Sequence, residues 1–267
     1  MRTALSTSWN AFRHGRGKDL VFEIQKLGFE EVELSFNLTS SMVEEIAVYA
    51  AQNAIRITSV HNYCPIPSGM PPAQALPDCY AMSSCNEKER AQAVQYTKNS
   101  IDTASRLGAR TVVLHCGRVE IPDKTRALIK LLESGKKDTS EFISLKDALI
   151  AERREKAQPF FENTLKSLGE LNTYARKKNI LLGVETRYYY REIPTFEEIG
   201  IILKEFSDSA IGYWHDTGHA QIMENLGIAK HRDFLDAYGS RLIGMHVHDI
   251  AGGDDHRAPG EGDFDFS

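Results

Sequence analysis

The hydrophobic positions of this chain fall into short apolar runs that alternate with longer amphipathic stretches. Seven runs read as strands because they are short and rich in β-branched and aliphatic residues. They are Thr3 to Ser8, Glu31 to Phe36, Ile55 to Tyr63, Thr111 to Leu114, Ile180 to Glu185, Ile211 to His215 and Leu242 to Asp249. Helical periodicity fills the intervals. Lys18 to Leu27 stops at Gly28, and Glu87 to Leu107 stops at Gly108, both ordinary helix-ending signals. Ser40 or Ser41 opens the helix that runs to Asn53, with Glu44 placed to complete a capping box with Ser41. Pro159 to Lys178, Thr195 to Phe206 and Ala229 to Tyr238 complete the helical set.

Two stretches break the rhythm. Ile66 to Ser84 is rich in proline and reads as a loop, long enough to suggest a lid. Arg118 to Gln158 reads as an insertion with helical patches. The rest is seven β-then-α repeats of about 30 to 40 residues, a pattern that implies parallel strands. No shift of composition marks a linker, so residues 1–267 are expected to form a single domain. A (β/α)8 barrel and a doubly wound open sheet both fit the repeats. The first strand is not followed by G-x-G-x-x-G, which removes the commonest cofactor signature of the open sheet.

With 267 residues, 42% of them hydrophobic, the chain can bury a substantial core. Its formal net charge of -5 argues against a protein that lives by neutralising phosphate backbones. The insertion carries ten Lys/Arg against eight Asp/Glu, a solvated surface rather than a basic clamp. No apolar run is long enough for a spanning helix, and the N-terminus has no secretory h-region, so a cytoplasmic location off the membrane is expected. Cys64, Cys79, Cys85 and Cys116 form no CxxC pair and are expected to be reduced thiols.

The candidate chemistry sits at the ends of the apolar runs. His61, His115, Glu185, Asp216 with His219, His246, and Asp254 with His256 each follow or end a strand-like segment. These are the side chains that bind Zn, Mn, Mg or Co at neutral pH. His246 and His248 are two apart, hence on one face of a strand. Each residue also has a plainer explanation, such as a hydrogen-bonded core histidine or a Glu185–Arg187 ion pair. His215 and His248 are expected in packing or supporting roles, and His14 and His231 at the surface. The recurrence of a metal-competent residue at strand after strand favours a metal site.

Six stretches in order, Ser59-Val-His-Asn-Tyr-Cys-Pro, Val113-Leu-His-Cys-Gly, Gly183-Val-Glu-Thr-Arg, His215-Asp-Thr-Gly-His-Ala, Gly244-Met-His-Val-His-Asp and Asp254-Asp-His-Arg-Ala-Pro-Gly-Glu-Gly, carry a family likeness. The chain resembles the xylose-isomerase-like TIM-barrel superfamily, which holds sugar and sugar-phosphate isomerases and epimerases together with endonuclease-IV-type apurinic endonucleases. The resemblance implies a (β/α)8 barrel at the C-terminal rim of whose strands a divalent metal is held by Glu185, Asp216 and His246. It implies catalytic roles for Glu185 and His219, and substrate contacts by His61, His115, Arg187, His219, His256 and Arg257. The implied reaction is isomerisation or epimerisation of a sugar or sugar phosphate through an enediolate that the metal stabilises, with Glu185 as one base.

In the endonuclease branch a multi-zinc site would add His61, His115, His219, Asp254 and His256, and the substrate would be abasic DNA. A non-catalytic relative that binds metal or a sugar is the third reading. In both enzymatic branches a glutamate from the eighth strand completes the site. The chain has seven βα units and ends at Phe264-Asp-Phe-Ser267, so the last helix and the eighth strand are missing from this reading. The barrel is therefore expected to be C-terminally incomplete and to associate into a homo-oligomer through its open edges, which light scattering would test.

Overall fold

In the computed structural model, residues 3–266 are described. The chain divides into two compact units, one built from residues 1–82, 86–115 and 167–183, the other from 83–85, 116–166 and 184–267. The boundary falls inside one long helix and one strand.

The first unit opens with β1 (Leu5–Ser6), α1 (Gly17–Lys26), β2 (Glu31–Leu34), α2 (Ser40–Ala51) and β3 (Arg56–His61). It continues through α3 (Glu87–Leu107) and β4 (Thr111–Leu114). Strands β1 to β4 are parallel neighbours in chain order, with Val60 opposite Val112 and His61 opposite Val113. All four residues of β4 are buried, as expected of a parallel strand covered on both faces. Asn86 caps α3 by accepting the N–H groups of Lys88 and Glu89, and Gly108, at φ 74°, ends it in the left-handed region. The buried stripe of α3 is partly polar: Thr97 and Ser100 both bond the side chain of Asn62, just past the end of β3.

The second unit contains α4 (Thr125–Glu133), the last two residues of β5 (Leu181–Glu185), α6 (Phe196–Glu205), β6 (Ile211–Asp216), α7 (Thr217–Asn225), α8 (His231–Tyr238) and β7 (Leu242–His246). A hairpin of β8 (Asp249–Ala251) and β9 (Asp254–Arg257) follows. Strand β6 lies between β5 and β7 and runs parallel to β7. Ile199, Leu203, Tyr213, Ala220 and Phe234 form an apolar cluster between β6 and the helices α6, α7 and α8. Gly244 has no side chain because the Trp214 ring fills the space a Cβ would take. No helix of the described residues is long and apolar enough to cross a membrane.

Several boundaries differ from the sequence reading. The last part of the insertion, from Ser140, and the Pro159 helix are one helix, α5 (Ser140–Lys178), with Pro159 inside it. An interior proline costs an i→i−4 hydrogen bond, about 3 kcal/mol; here tertiary anchors on either side hold the helix together. Arg153 forks onto Glu198, and Thr164 bonds the carbonyl of Cys116. Helix α2 is capped by Thr39, which accepts the Met42 N–H, rather than by Ser40 or Ser41. The seventh strand ends at His246. Thr217 to Asn225, not anticipated as a helix, forms α7 with Asp216 as its N-cap.

Candidate metal centre

The site in the second unit is built where β5, β6 and β7 end. The β6–β7 register sets Asp216 directly beside His246, and Glu185 is the last residue of β5. Ligand-capable atoms of Glu185, Asp216 and His246 all lie within 4.8 Å of one another. His246 Nδ1 is 2.6 Å from Glu185 Oε1 and 3.5 Å from Asp216 Oδ2. Both carboxylates are buried, while the imidazole is one-fifth exposed. Two carboxylates and an imidazole form the O/N donor set that suits Zn, Mn, Mg or Co, so these residues fit a divalent ion.

Both carboxylates are held from behind. Arg187 Nη1 donates to Glu185 Oε2 at 2.6 Å, and its Nη2 reaches Glu192 Oε1 at 3.2 Å. Arg187 is thus buried among carboxylates. Asp216 Oδ1 accepts the backbone N–H of His219 at 2.8 Å and His248 Nε2 at 3.0 Å. Burial works against a charge on Asp216, but His219 and the bonds from His246 and His248 outweigh it and hold the carboxyl well below its ordinary range. Burial also works against a charge on His248, yet Asp216 beside it raises that imidazole. The other ring nitrogen of His248 accepts the N–H of His256 at 3.0 Å, so its donor and acceptor capacity is filled. Gly218, in the first turn of α7, has no side chain because that imidazole occupies the place of a Cβ.

His219 faces a second group. Its Nδ1 is 2.8 Å from the Thr186 carbonyl, and its Nε2 is 3.6 Å from Asp255 Oδ2. Burial lowers its pKa to about 4, so the ring is neutral at physiological pH. Asp255 also takes His256 Nδ1 at 2.9 Å, and the His256 ring stacks on His248 with centroids 4.2 Å apart. Atoms of His219, His248, Asp255 and His256 lie within 4.8 Å of one another. The hairpin thus turns Asp255 toward His219. Asp254, one residue earlier on β9, is exposed and pairs with Arg257 at 2.6 Å.

His61 and His115 belong to the first unit, where their rings meet edge to face at 4.9 Å and His115 Nδ1 contacts Asp78 Oδ1 at 3.0 Å. His231, expected at the surface, is buried: it bonds His215 at 2.9 Å and stacks on Phe264. Its polar sequence neighbours gave no sign of this. His248 sits against Asp216, in keeping with the supporting role expected of it, whereas nothing in the sequence reading points to Asp255 as a site group. The signal for Asp255 was strand alternation, which puts neighbouring residues 254 and 255 on opposite faces.

The comparisons agree with this architecture. A family described as Xylose isomerase-like TIM barrel matches residues 21–267. An uncharacterised protein, y4fM, of Sinorhizobium fredii is 26% identical over 239 residues, covering 87% of this chain and 67% of that protein. The fold is similar to that of an L-ribulose 3-epimerase, with TM-score 0.68, 16% identity, and coverage of 99% of this chain and 74% of the other. It is also similar to the 3-keto-D-glucoside 4-epimerase YcjR of E. coli, with TM-score 0.67, 15% identity, and coverage of 100% and 84%. With its parallel βα units and the match over nearly its whole length, the chain belongs to the xylose isomerase-like TIM-barrel family.

Proposed function

We propose that the protein is a divalent-metal-dependent isomerase or epimerase of a sugar or sugar phosphate. The observation that carries this reading is the convergence of Glu185, Asp216 and His246 from three adjacent strand ends. The structural likeness to proteins described as L-ribulose 3-epimerase and 3-keto-D-glucoside 4-epimerase supports the choice of substrate class. A bound divalent ion would supply Lewis acidity that polarises a carbonyl and the neighbouring hydroxyl.

The chain's own residues do the rest. Asp216, held ionised, is a fixed negative donor whose geometry is set by the His219 N–H and by His248. Glu185 is the base for the proton α to the carbonyl, and Arg187 orients its carboxylate through Oε2. Its acceptance of that proton leaves an enediolate, which can be reprotonated at either carbon or on the opposite face. His219 is neutral and presents Nε2 to a substrate hydroxyl. His256 lies on the same side and supplies a further polar contact.

The group formed by His219, Asp255 and His256 favours a second reading, a multi-ion phosphodiesterase acting on abasic DNA. One experiment separates the two. The protein, loaded in turn with Mn, Mg, Co and Zn, is incubated in D2O with a panel of ketoses, aldoses and their phosphates, and in parallel with an abasic oligonucleotide. Deuterium entering next to the carbonyl, with the epimer or isomer accumulating, is the expected result. No exchange across the panel, together with clean incision of the oligonucleotide, would overturn it.

A further inference from the structure

Beneath the metal centre, and using none of its three donors, a single chain of hydrogen bonds crosses the second unit. Its direction can be read from one end. Asn225 Nδ2 reaches the Gly252 carbonyl at 3.3 Å, an acceptor only, which fixes the Asn225 amide. Asn225 Oδ1 therefore accepts Gln221 Nε2 at 2.9 Å, which fixes Gln221 in turn. Gln221 Oε1 must then accept from His231 Nδ1 at 3.1 Å, leaving His231 Nε2 as a lone pair when the ring is neutral. His215 Nε2–H donates to it at 2.9 Å, and Tyr213 O–H donates to His215 Nδ1 at 2.7 Å. The Tyr213 oxygen then accepts the hydroxyl of Thr186 at 2.8 Å.

Six bonds thus run one way, through groups that are mostly buried, from Thr186 to the turn of the β8–β9 hairpin. Bonds arranged head to tail polarise one another and resist reversal. At the Thr186 end every polar group is engaged. The N–H donates to the Trp214 carbonyl at 3.1 Å, the hydroxyl is taken by Tyr213, and the carbonyl accepts His219 Nδ1 at 2.8 Å.

We infer that Tyr213, His215 and Thr186 are positioning residues for His219: the chain clamps Thr186 so that its carbonyl holds His219 in the Nδ1–H tautomer. His219 Nε2, 3.6 Å from Asp255 Oδ2 and so beyond hydrogen-bonding distance of it, is thereby left as a lone pair. An imidazole so held accepts a hydrogen bond from a sugar hydroxyl and cannot donate one. The inference rests on the reading of His219 as the substrate-facing imidazole, but its test requires neither metal nor turnover, so the two can fail separately.

The test is imidazole ¹⁵N–¹H spectroscopy of the full chain, metal-free and near neutral pH. The wild type is expected to show His219 and His231 protonated on Nδ1 and His215 on Nε2. In Tyr213→Phe and in Thr186→Val, the His219 ratio of Nδ1–H to Nε2–H is expected to fall by ~3- to 10-fold, the weight of a typical buried hydrogen bond. Thr186→Ser, which keeps the hydroxyl, should restore the wild-type ratio. If Tyr213→Phe does not fold, the Thr186 pair gives the same reading. An unchanged His219 ratio in folded Thr186→Val, or His215 protonated on Nδ1 in the wild type, would overturn the inference.

Discussion

Arg153 lies on α5 with its guanidinium forked onto Glu198, Nη1 to Oε1 at 2.9 Å and Nη2 to Oε2 at 2.7 Å. Nη2 also donates to the Glu192 carbonyl at 2.9 Å. Both side chains are at most one-tenth exposed. Arg153→Met therefore leaves a buried carboxylate without its cation and a carbonyl without a donor. Removing one partner of such a pair costs roughly 3–5 kcal/mol. The lower end applies here, because Glu198 Oε2 keeps the Thr195 N–H at 2.9 Å within the capping box of α6. At about 2–4 °C per kcal/mol for domains of comparable size, a loss of ~3 kcal/mol lowers Tm by roughly 6–12 °C. The loss comes from an orphaned charge rather than from lost packing, so the double variant is informative. Arg153→Met with Glu198→Gln removes the charge yet retains an oxygen for the Thr195 N–H, and it should recover more than half of the loss. Urea and thermal unfolding followed by circular dichroism supply both numbers. A single variant within about 0.5 kcal/mol of wild type, as for an ordinary surface change, would refute the argument, and so would a double variant less stable than the single.

Three further outcomes follow from the site. Asp216→Asn should abolish the stabilisation given by Mn or Zn, about 2.7 kcal/mol at a hundredfold excess over Kd and read as a rise in Tm. Helix α7 should persist in that variant, since Asn caps as well as Asp; a metal-dependent rise equal to that of wild type would count against the ligand assignment. Gly218→Ala drives a methyl into the His248 ring and should cost about 1–3 kcal/mol by overpacking, read by urea unfolding; no measurable loss would show that the two do not touch. For Asp249, burial raises the carboxyl, but the backbone N–H groups of Phe264, Ile250, Gly260 and Gly262 outweigh it and hold it down to about 2. A depressed carboxyl contributes stability above its unfolded pKa of about 3.9 and loses it as pH falls toward 2. Acid unfolding should therefore steepen between about pH 4 and 2 in the wild type and flatten there in Asp249→Asn; identical acid limbs would exclude this origin.

The parts of the fold that were readable in advance are those whose signals are local. Helix α3 has the bounds that the sequence predicts, because a long amphipathic pattern fills it and Gly108 marks its end. Strand β4 was equally clear as a run of apolar residues between a helix stop and His115. Glu185, Asp216 and His246 were legible because each ends a recognisable strand, and the register then sets Asp216 beside His246. What failed depended on contacts distant in sequence. Pro159 looked like a helix start because its local cost is visible and the anchors at Arg153 and Thr164 are not. Thr217–Asn225 carries a glycine in its first turn, which hid α7, and Asp216 had been read as a ligand and not also as a cap. His231, flanked by Lys230 and Arg232, showed nothing of the partners that bury it, His215 and Phe264.

Asp249 has a consequence for how this surface can change. Its two oxygens take the N–H groups of Ile250, Gly260, Gly262 and Phe264, at 2.8 to 3.0 Å. Gly262 has to remain small, because the Asp249 carboxylate and the Ile250 carbonyl occupy the place of its Cβ. The segment after β9 is thus gathered on a single side chain through main-chain atoms, and the identities of most of its own side chains are not spent on holding it. Residues such as Ala258, Pro259 and Glu261 can be exchanged while the anchor and its glycines stay. In such an arrangement, the segment after β9 can diversify without redesign of the strands that carry the donors.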